Sequence, residues 1–289
     1  MMPAMVTLPF QQVDVFTAVP FKGNPVAVVL DGDGVSTEQM HTIANWTNLS
    51  ETTFVCSTTH PDADYRLRIF TPKSELPFAG HPTIGSAHAA LRHGLKPRTS
   101  GRLVQECGKG LVAVKVEDDR LFLSLPGPQF REPSADQVAQ VADALGVAKA
   151  EIRRAAIIDV GPVWFTTQLA SGDAVLALQP DMGKVAALSP IGITGVNVFG
   201  MHASGGSSDL EVRSFAPADG VPEDPVCGSG NGCVAALVRR ERLTAEPSYV
   251  ATQGRCMGRD GRIAVRFDAD GTIWVGGHAV TCIEGVLSV

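Results

Sequence analysis

The sequence predicts an α+β protein built from two similar halves. The phrase Arg68-Ile-Phe70-Thr-Pro72 returns 145 residues later as Arg213-Ser-Phe215-Ala-Pro217, and the same offset relates several neighbouring positions. Strand-like runs dominate the chain, helical runs are few, and hairpin connections outnumber strand–helix–strand crossovers. This arrangement is typical of an α+β fold rather than of a doubly wound parallel sheet.

The first half begins with β-type patterns. Alternating or β-branched runs predict strands at 13–16, 23–30, 51–55, 65–70, 111–116 and 121–125. Ser36 and Gln39 form a capping-box pattern, which predicts a helix that reaches about Trp46. A second helix is predicted after Pro82, because proline suits the first turn of a helix, and it ends at Gly94.

The second half repeats this plan. Ser134 and Gln137 form another capping box, which predicts a helix to Leu145. Strands are predicted at 161–167, 196–199, 263–267, 272–275 and 279–282. Pro126-Gly-Pro128 interrupts the pattern between the halves. We therefore expect two domains, residues 1–128 and 129–289, with the last strand able to cross back to the first domain.

Composition limits the functions that the chain can have. Its 289 residues carry a net charge of −6, which disfavours nucleic acid as a partner. The six cysteines show no CxxC pairing, so no metal site is expected. No run is long and apolar enough for a membrane span, and the N-terminus lacks the pattern of a signal peptide. A cytoplasmic protein without a membrane partner is the simplest interpretation.

Two glycine-framed turns precede apolar, small-residue helices and are the main candidates for a binding site. The first contains Gly80, His81, Pro82 and Thr83, and the second contains residues 228–230, Gly-Ser-Gly. Free N–H groups and the helix dipole make such N-termini suited to anions. Two of them facing each other would form a cleft for a small carboxylate or an enolate.

Four side chains near these turns could carry chemistry. Glu51 stands at a strand start, where desolvation can raise its pKa and suit it to acid or base catalysis; the alternative is a surface glutamate. His81 lies between Gly80 and Pro82, so its ring is expected to be displayed rather than packed; the alternative is a turn histidine bonded to the backbone. Asp224, before Pro225, could be a turn residue, and Ser229 could cap the helix or hold a carboxylate.

Cys227 begins the second turn and has two interpretations. A thiol at a helix N-terminus has a lowered pKa and gains nucleophilicity. Most free cysteines, however, are small buried hydrophobes. Three familiar motifs fail here: the dinucleotide fingerprint is broken by Cys233, no Walker lysine is present, and Cys227 interrupts a nucleophile-elbow pattern. Zinc ligation by His81, His88 and Cys227 has no spacing in its favour.

Four motifs resemble the phenazine-biosynthesis PhzF-like isomerases over essentially the whole chain. They are Asn24-Pro-Val-Ala-Val, Leu49-Ser-Glu51-Thr-Thr-Phe, the stretch from Phe70 through His81 to Gly85, and Glu223-Asp224-Pro with Gly228-Ser229-Gly. The resemblance implies a diaminopimelate epimerase-like fold, with two pseudo-symmetric domains that each wrap a β-barrel-like sheet around a central helix. It also implies a homodimeric enzyme without a cofactor.

The resemblance further implies roles for individual residues. Glu51 corresponds to the general acid/base, and His81 and Asp224 orient and polarise an amine or hydroxyl of the substrate. Ser229 and the turn residues Gly80, Pro82, Thr83, Gly228 and Gly230 hold the carboxylate of a small substrate. The implied reaction moves a proton between two carbons of one molecule.

Cys227 departs from the resemblance. Many members have threonine there, whereas Cys227-Gly is similar to one catalytic cysteine of the epimerases, whose other cysteine would fall on Ala79. Three hypotheses stay open: a PhzF-like isomerase with an auxiliary Cys227, an amino-acid epimerase or racemase that uses Cys227, and a non-catalytic ligand- or partner-binding protein of the same fold. A two-base epimerase needs a base on each side, and alanine cannot hold a proton.

Overall fold

The computed structural model of the chain, which describes residues 6–203 and 205–289, divides into two units. Unit 1 comprises the residues up to Leu123 together with Gly276–Val289, and unit 2 comprises Ser124–Val275. The chain passes from unit 1 to unit 2 between Leu123 and Ser124, a few residues before the boundary expected at 128. The C-terminal segment Gly276–Val289 belongs to unit 1.

Unit 1 consists of an antiparallel-rich sheet and two helices. Its strands are β1 (Thr7–Val15), β2 (Asn24–Val29), β3 (Thr52–Cys56), β4 (Tyr65–Phe70), β5 (Glu75–Leu76), β6 (Arg102–Cys107), β7 (Gly110–Glu117), β8 (Arg120–Ser124) and most of β17 (Ile273–Ser288). Its helices are α1 (Thr37–Thr47) and α2 (Gly80–Arg92).

The sheet of unit 1 closes into a barrel around α2. Strand pairing runs β1–β2–β3–β4–β6–β7–β8–β17 and returns from β17 to β1. Helix α2 packs against β1 to β4, and its residues from His81 to Ala87 are all buried. A barrel of this size has room only for a slender helix, which explains the glycine, alanine and serine residues along α2.

Helix α1 packs outside the barrel. The predicted capping box is present, because Ser36 Oγ accepts from the Gln39 N–H and the Gln39 side chain accepts from the Ser36 N–H. Met40 and Ala44 of α1 join Val29 and Phe54 in a buried cluster. The helix connects β2 to β3 and thereby sets the position of Glu51 at the start of β3.

Unit 2 has a similar composition of elements. Its strands are β9 (Gln129–Arg131), β10 (Arg154–Asp159), β11 (Val163–Gln168), β12 (Gly195–Met201), β13 (Leu210–Ala216), β14 (Val221–Asp224), β15 (Ser248–Gln253) and β16 (Gly261–Phe267). Its helices are α3 (Ala135–Leu145), α4 (Gly172–Leu176), α5 (Met182–Ala186) and α6 (Gly228–Arg240).

In unit 2 the helix α6 takes the place that α2 has in unit 1. The strands pair in the order β9–β10–β11–β12–β13–β15–β16, with β14 also on β13. Helix α6 packs against β10, β11, β12 and β16, and a separate apolar cluster lies under α3, α4 and α5. The predicted α+β class and the repeat of one plan are both confirmed.

The C-terminal strands differ from the prediction. The segments 272–275 and 279–282 were expected to be separate strands, but they belong to the single 16-residue strand β17. The intervening Gly-Gly-His continues the strand without a turn; β17 pairs with β8 and, from Ala279 to Ser288, with β1, with one irregularity between Gln12 and Val13. None of the helices in the described part of the chain has both the length and the hydropathy needed to cross a membrane.

Candidate active site

The first predicted turn forms the N-terminus of α2 in unit 1. Its N-cap residue is Ala79, whose side chain cannot accept a hydrogen bond, so the first N–H groups of the helix are not capped by a side chain. An anion can take the place of the missing cap. The N–H groups of Gly80 and His81 are the ones that α2 offers, because Pro82 has none.

His81 and Glu51 lie side by side at this helix end. His81 Nε2 is 3.3 Å from Glu51 Oε2, and the two side chains are 9% and 15% exposed. The ring of His81 also hydrogen-bonds to the backbone of Pro25 at the start of β2. The Pro25 carbonyl can only accept, so the ring nitrogen bonded to it carries the proton of the neutral imidazole. Nε2 forms no hydrogen bond, and the neutral ring therefore presents it to Glu51 as an acceptor.

The ring of His81 is packed, contrary to the expectation that it would be displayed. The residue is 8% exposed, and burial lowers its pKa from 6.5 to about 4. The expectation failed because Gly80 and Pro82 suggested an open turn, whereas the turn is enclosed by the barrel. A neutral imidazole can accept a proton or a hydrogen bond throughout the physiological pH range.

Pro82 and Thr83 are buried within the first turn of α2. The Thr83 hydroxyl donates to the carbonyl of Ala79 at 2.8 Å and accepts from Gln105 Nε2 at 3.1 Å. The Thr83 side chain therefore fixes the turn from inside the barrel, and its expected contribution to substrate binding remains a prediction.

The second predicted turn forms the N-terminus of α6 in unit 2, and Cys227 is its N-cap. The Cys227 Sγ accepts from the Gly230 N–H at 3.2 Å. A Cβ at Gly230 would lie 2.5 Å from Asn197 Oδ1 and 2.8 Å from Ser214 Oγ, so only glycine fits there. The sequence analysis considered Ser229 as the cap, but the structure assigns that role to Cys227.

Asp224 ends β14, three residues before this cap. Its Oδ1 accepts from the Val226 N–H at 3.0 Å, and the Cys227 thiol also hydrogen-bonds to this carboxyl. Burial raises the pKa of Asp224 from 3.8 to about 6, while these two hydrogen bonds act in the opposite direction. Asp224 thus changes charge close to neutral pH, as a group that binds a polar substrate atom or transfers a proton can do.

The Cys227 thiol has a raised pKa, which fits the buried one of its two interpretations and not the nucleophilic one. Burial is the largest cause, and the charge of Asp224 adds to it. The hydrogen bonds from Ser229 and Gly230 favour the thiolate but are outweighed. The thiol consequently remains protonated near neutral pH, where it can donate a hydrogen bond but is a poor base.

Ser229 is oriented by a residue that the sequence analysis did not select. Trp164 Nε1 donates to Ser229 Oγ at 3.1 Å, and Trp164 is only 3% exposed. Since the hydroxyl oxygen accepts from Trp164, the hydroxyl proton is available to another acceptor. Cys227 Sγ, 3.6 Å away, is one such acceptor within the unit. A ligand carboxylate would be another.

Gln253 and Asn231 hold the turn from 224 to 227 and were also missed. Gln253 Nε2 donates to the Asp224 carbonyl at 2.9 Å, and Gln253 Oε1 accepts from the Cys227 N–H at 3.1 Å. Asn231 Nδ2 contacts both Gln253 Oε1 and the Cys227 carbonyl. Gln253 and Asn231 are fully buried. Gln253 was concealed by its distance along the chain from the motifs, whereas Asn231 lies directly after Gly230 and was passed over as part of the turn.

Metal ligation has no support among the described residues, since none of them form a group of three or more histidine, cysteine, aspartate or glutamate side chains placed to hold an ion. The groups that the two turns offer are instead proton carriers, hydrogen-bond donors and helix N-termini.

Comparison with known proteins identifies the family. The family model described as phenazine biosynthesis-like protein, PhzC-PhzF, matches residues 13–285. The chain belongs to this family. A Pseudomonas fluorescens relative named trans-2,3-dihydro-3-hydroxyanthranilate isomerase is 35% identical over 251 residues, which are 86% of each chain.

Other relatives extend this result. The PhzF-family protein of Bacillus anthracis has a crystal structure that aligns with a TM-score of 0.87 at 24% identity, covering 99% of this chain and 100% of that one. A Schizosaccharomyces pombe protein named antisense-enhancing sequence 1 is 40% identical over 293 residues, 96% of this chain and 97% of its own. The protein is therefore a PhzF-like isomerase with the expected diaminopimelate epimerase-like fold.

Proposed function

We propose that this PhzF-like isomerase moves a proton between two carbons of a small carboxylated metabolite by general acid/base catalysis without a cofactor. The observation that carries the proposal is the contact of Glu51 with the neutral ring of His81 at an uncapped helix N-terminus. The name of the Pseudomonas fluorescens relative suggests a cyclic carboxylate with amino and hydroxyl groups as the substrate class.

Glu51 is the proposed proton carrier. Its carboxylate removes a proton from one carbon, and the electrons of the broken C–H bond move into the conjugated system of the substrate. The protonated Glu51 then donates a hydrogen bond to His81 Nε2, which is placed to accept it. Return of this proton to a second carbon completes the isomerisation with all atoms and electrons conserved. His81 can also accept from an amine or hydroxyl of the substrate.

Asp224 and Ser229 are proposed to bind polar groups of the substrate. The Asp224 carboxylate, ionised above a pKa of about 6, attracts a substrate amine or hydroxyl. Ser229 and the N–H groups at the start of α6 bind the carboxylate, because the Trp164 contact leaves the Ser229 proton available. Gly80 at the start of α2, and Gly228 and Gly230 at the start of α6, provide close backbone approach in this proposal.

The epimerase alternative is weakened by the two positions that would carry its bases. Ala79 has no titratable group, and the raised pKa of Cys227 keeps its thiol protonated near neutral pH. A single proton carrier, Glu51, fits the described side chains better than a pair of thiols. We also propose a cytoplasmic homodimer, for which light scattering coupled to size-exclusion chromatography is the test.

The function is tested by screening small cyclic and acyclic carboxylates for a thermal shift, followed by NMR of each hit in D₂O. Deuterium incorporation at a carbon of the ligand, with a shift of its double bonds, is expected for the isomerase. Racemisation at an amino-acid α-carbon would support the epimerase instead. Binding without any exchange would support a non-catalytic ligand-binding protein.

A further inference from the structure

The loop that joins β1 to β2 differs from its counterpart in unit 2. Val15 pairs with Asn24, so the first connection comprises residues 16–23, whereas Asp159 pairs with Val163 and leaves only residues 160–162. Hairpin connections of two to five residues are the common lengths. The eight-residue loop of unit 1 is therefore longer than this strand pair needs, and long loops on rigid strands often carry function.

Both ends of this loop are firmly attached to the barrel. The Phe16 N–H donates to the carbonyl of His278 in β17 at 2.8 Å, and Phe16 is buried with a left-handed φ of 64°. The Gly23 N–H donates to Asp14 Oδ2 at 2.9 Å. A Cβ at Gly23 would lie 2.1 Å from the carbonyl oxygen of Val15, so the chain can return to β2 only through glycine.

The tip of the loop exposes two apolar side chains. Val19 is 57% exposed and Phe21 is 66% exposed. The Thr17 hydroxyl shapes the tip, because it donates to the Val19 carbonyl and accepts from the Val19 N–H, each at 2.9 Å. Phe21 has a φ of 68°, a left-handed conformation that is unfavourable for a bulky residue. An exposed aromatic side chain in an unfavourable backbone conformation is typical of a functional position rather than of a stabilising one.

The loop ends next to the proposed proton carrier. After Gly23 the chain passes through the buried Asn24 to Pro25, whose backbone hydrogen-bonds to the His81 ring. Phe21 is four residues before Pro25, so their Cα atoms are separated by at most about 14 Å. Only Gly23 and Asn24 thus separate the loop 17–22 from the residue whose backbone holds the His81 ring.

We propose that the loop 17–22 determines substrate specificity and that the Phe21 ring packs against the unsaturated ring of a cyclic carboxylate. This inference rests on the proposed function and adds to it the part of the enzyme that selects the carbon skeleton. Helix N-termini and acidic groups recognise the polar substituents and do not distinguish a ring from an open chain. An aromatic face provides that distinction, because it contacts a flat ring over its whole area.

The test compares Phe21→Gly with the wild-type protein for binding of anthranilate, a planar cyclic aminocarboxylate, and 4-aminobutanoate, an acyclic one. Glycine relieves the left-handed backbone and removes the ring, so the variant is expected to fold. Phe21→Tyr should retain affinity. Leu111→Ala, which truncates an exposed apolar side chain elsewhere on unit 1, is the control. Isothermal titration and Tm shifts give the affinities.

The expected result is a loss of about 10-fold or more in anthranilate affinity for Phe21→Gly, with 4-aminobutanoate changed less than about 2-fold. Equal loss for both ligands, unchanged anthranilate affinity, or no anthranilate binding by the wild-type protein would overturn the proposal. In each of these cases the proposed function would stay valid if the wild-type protein exchanges a proton on a substrate found by screening and Glu51→Gln binds that substrate without exchange.

Discussion

His81 Nε2 lies 3.3 Å from Glu51 Oε2, and burial keeps this imidazole neutral with a pKa of about 4. A charged histidine beside a carboxylate would hold the carboxylate ionised and make proton uptake costly. The neutral ring instead accepts a hydrogen bond from the protonated carboxyl, so the contact favours the form of Glu51 that has taken up a proton. This contact is the physical basis of the proposed mechanism, in which Glu51 is the single proton carrier (the one-carrier mechanism).

We expect the His81 ring to stay neutral down to about pH 4. Its pKa is lowered by burial, and burial also lowers the pKa of His88 to about 4. Two-dimensional NMR of the histidine rings should therefore show no titration near pH 6.5 for the signals that disappear in His81→Gln and His88→Gln. A His81 signal that titrates near 6.5 would contradict a buried neutral ring.

The lowered pKa of His81 also predicts how the free energy of unfolding depends on pH. The unfolded state binds protons at His81 below about pH 6.5, but the folded state does so only below about pH 4. The contribution of His81 is therefore present above pH 6.5 and is lost as the pH falls through 4, by on the order of 3 kcal/mol. Urea unfolding at pH 7 and 4.5 should show a smaller acid-induced loss in His81→Gln than in the wild-type protein.

Asp224 should control the acid limb of the pH–activity profile, which is the fall of activity towards low pH. Its pKa is raised to about 6 by burial, and its proposed role needs the ionised form. We expect kcat/KM of the wild-type enzyme to fall below about pH 6, and Asp224→Asn to have lower activity without that limb. A limb that stays at pH 6 in Asp224→Asn would assign it to another group.

Gln253 is expected to act as a positioning residue for Asp224. Gln253→Glu replaces the donor to the Asp224 carbonyl with an acceptor and adds negative charge, which should raise the pKa of Asp224 and move the acid limb above pH 6. Gln105→Glu changes an equally buried glutamine in unit 1 and serves as the control. Loss of stability in both variants with an unmoved limb would show a purely structural role for Gln253.

Cys227 is expected to be auxiliary. Burial and the neighbouring Asp224 raise the pKa of its thiol, so it does not serve as the base. Cys227→Thr places a hydroxyl that can accept from the Gly230 N–H and should keep most of the activity. Cys256→Thr, at an exposed position, provides the baseline. An inactive Cys227→Thr enzyme that exchanges the α-proton of a chiral amino acid would favour the two-base epimerase.

Much of the fold is predictable because its signals are local. The capping boxes at Ser36 and Ser134 and the repeated turns before α2 and α6 depend on residues a few positions apart. The continuity of β17 could not be predicted, since it depends on pairing with β1 at the other end of the chain. For the same reason local sequence suggested an open turn at His81, where the barrel encloses the ring.

The site shows the same division between local and long-range information. The motifs identified Glu51, His81, Asp224 and Ser229 as candidates. Trp164, which orients Ser229, and Gln253, which holds the turn at Asp224, come from other strands, and their hydrogen bonds exist only after folding. Two interpretations of Cys227 stayed open because a helix N-terminus is visible in a sequence, whereas the burial that raises the thiol pKa is not.

The most direct test of the one-carrier mechanism is deuterium exchange by Glu51→Gln on the substrate found by screening, compared with the wild-type enzyme and with Glu38→Gln, which alters an exposed glutamate of α1. Glutamine keeps the shape of Glu51 but cannot carry a proton, so exchange and turnover should fall by about 10²–10⁴-fold with binding retained. Glu38→Gln should match the wild type. Near-native exchange by Glu51→Gln would contradict the assignment of Glu51 as the proton carrier.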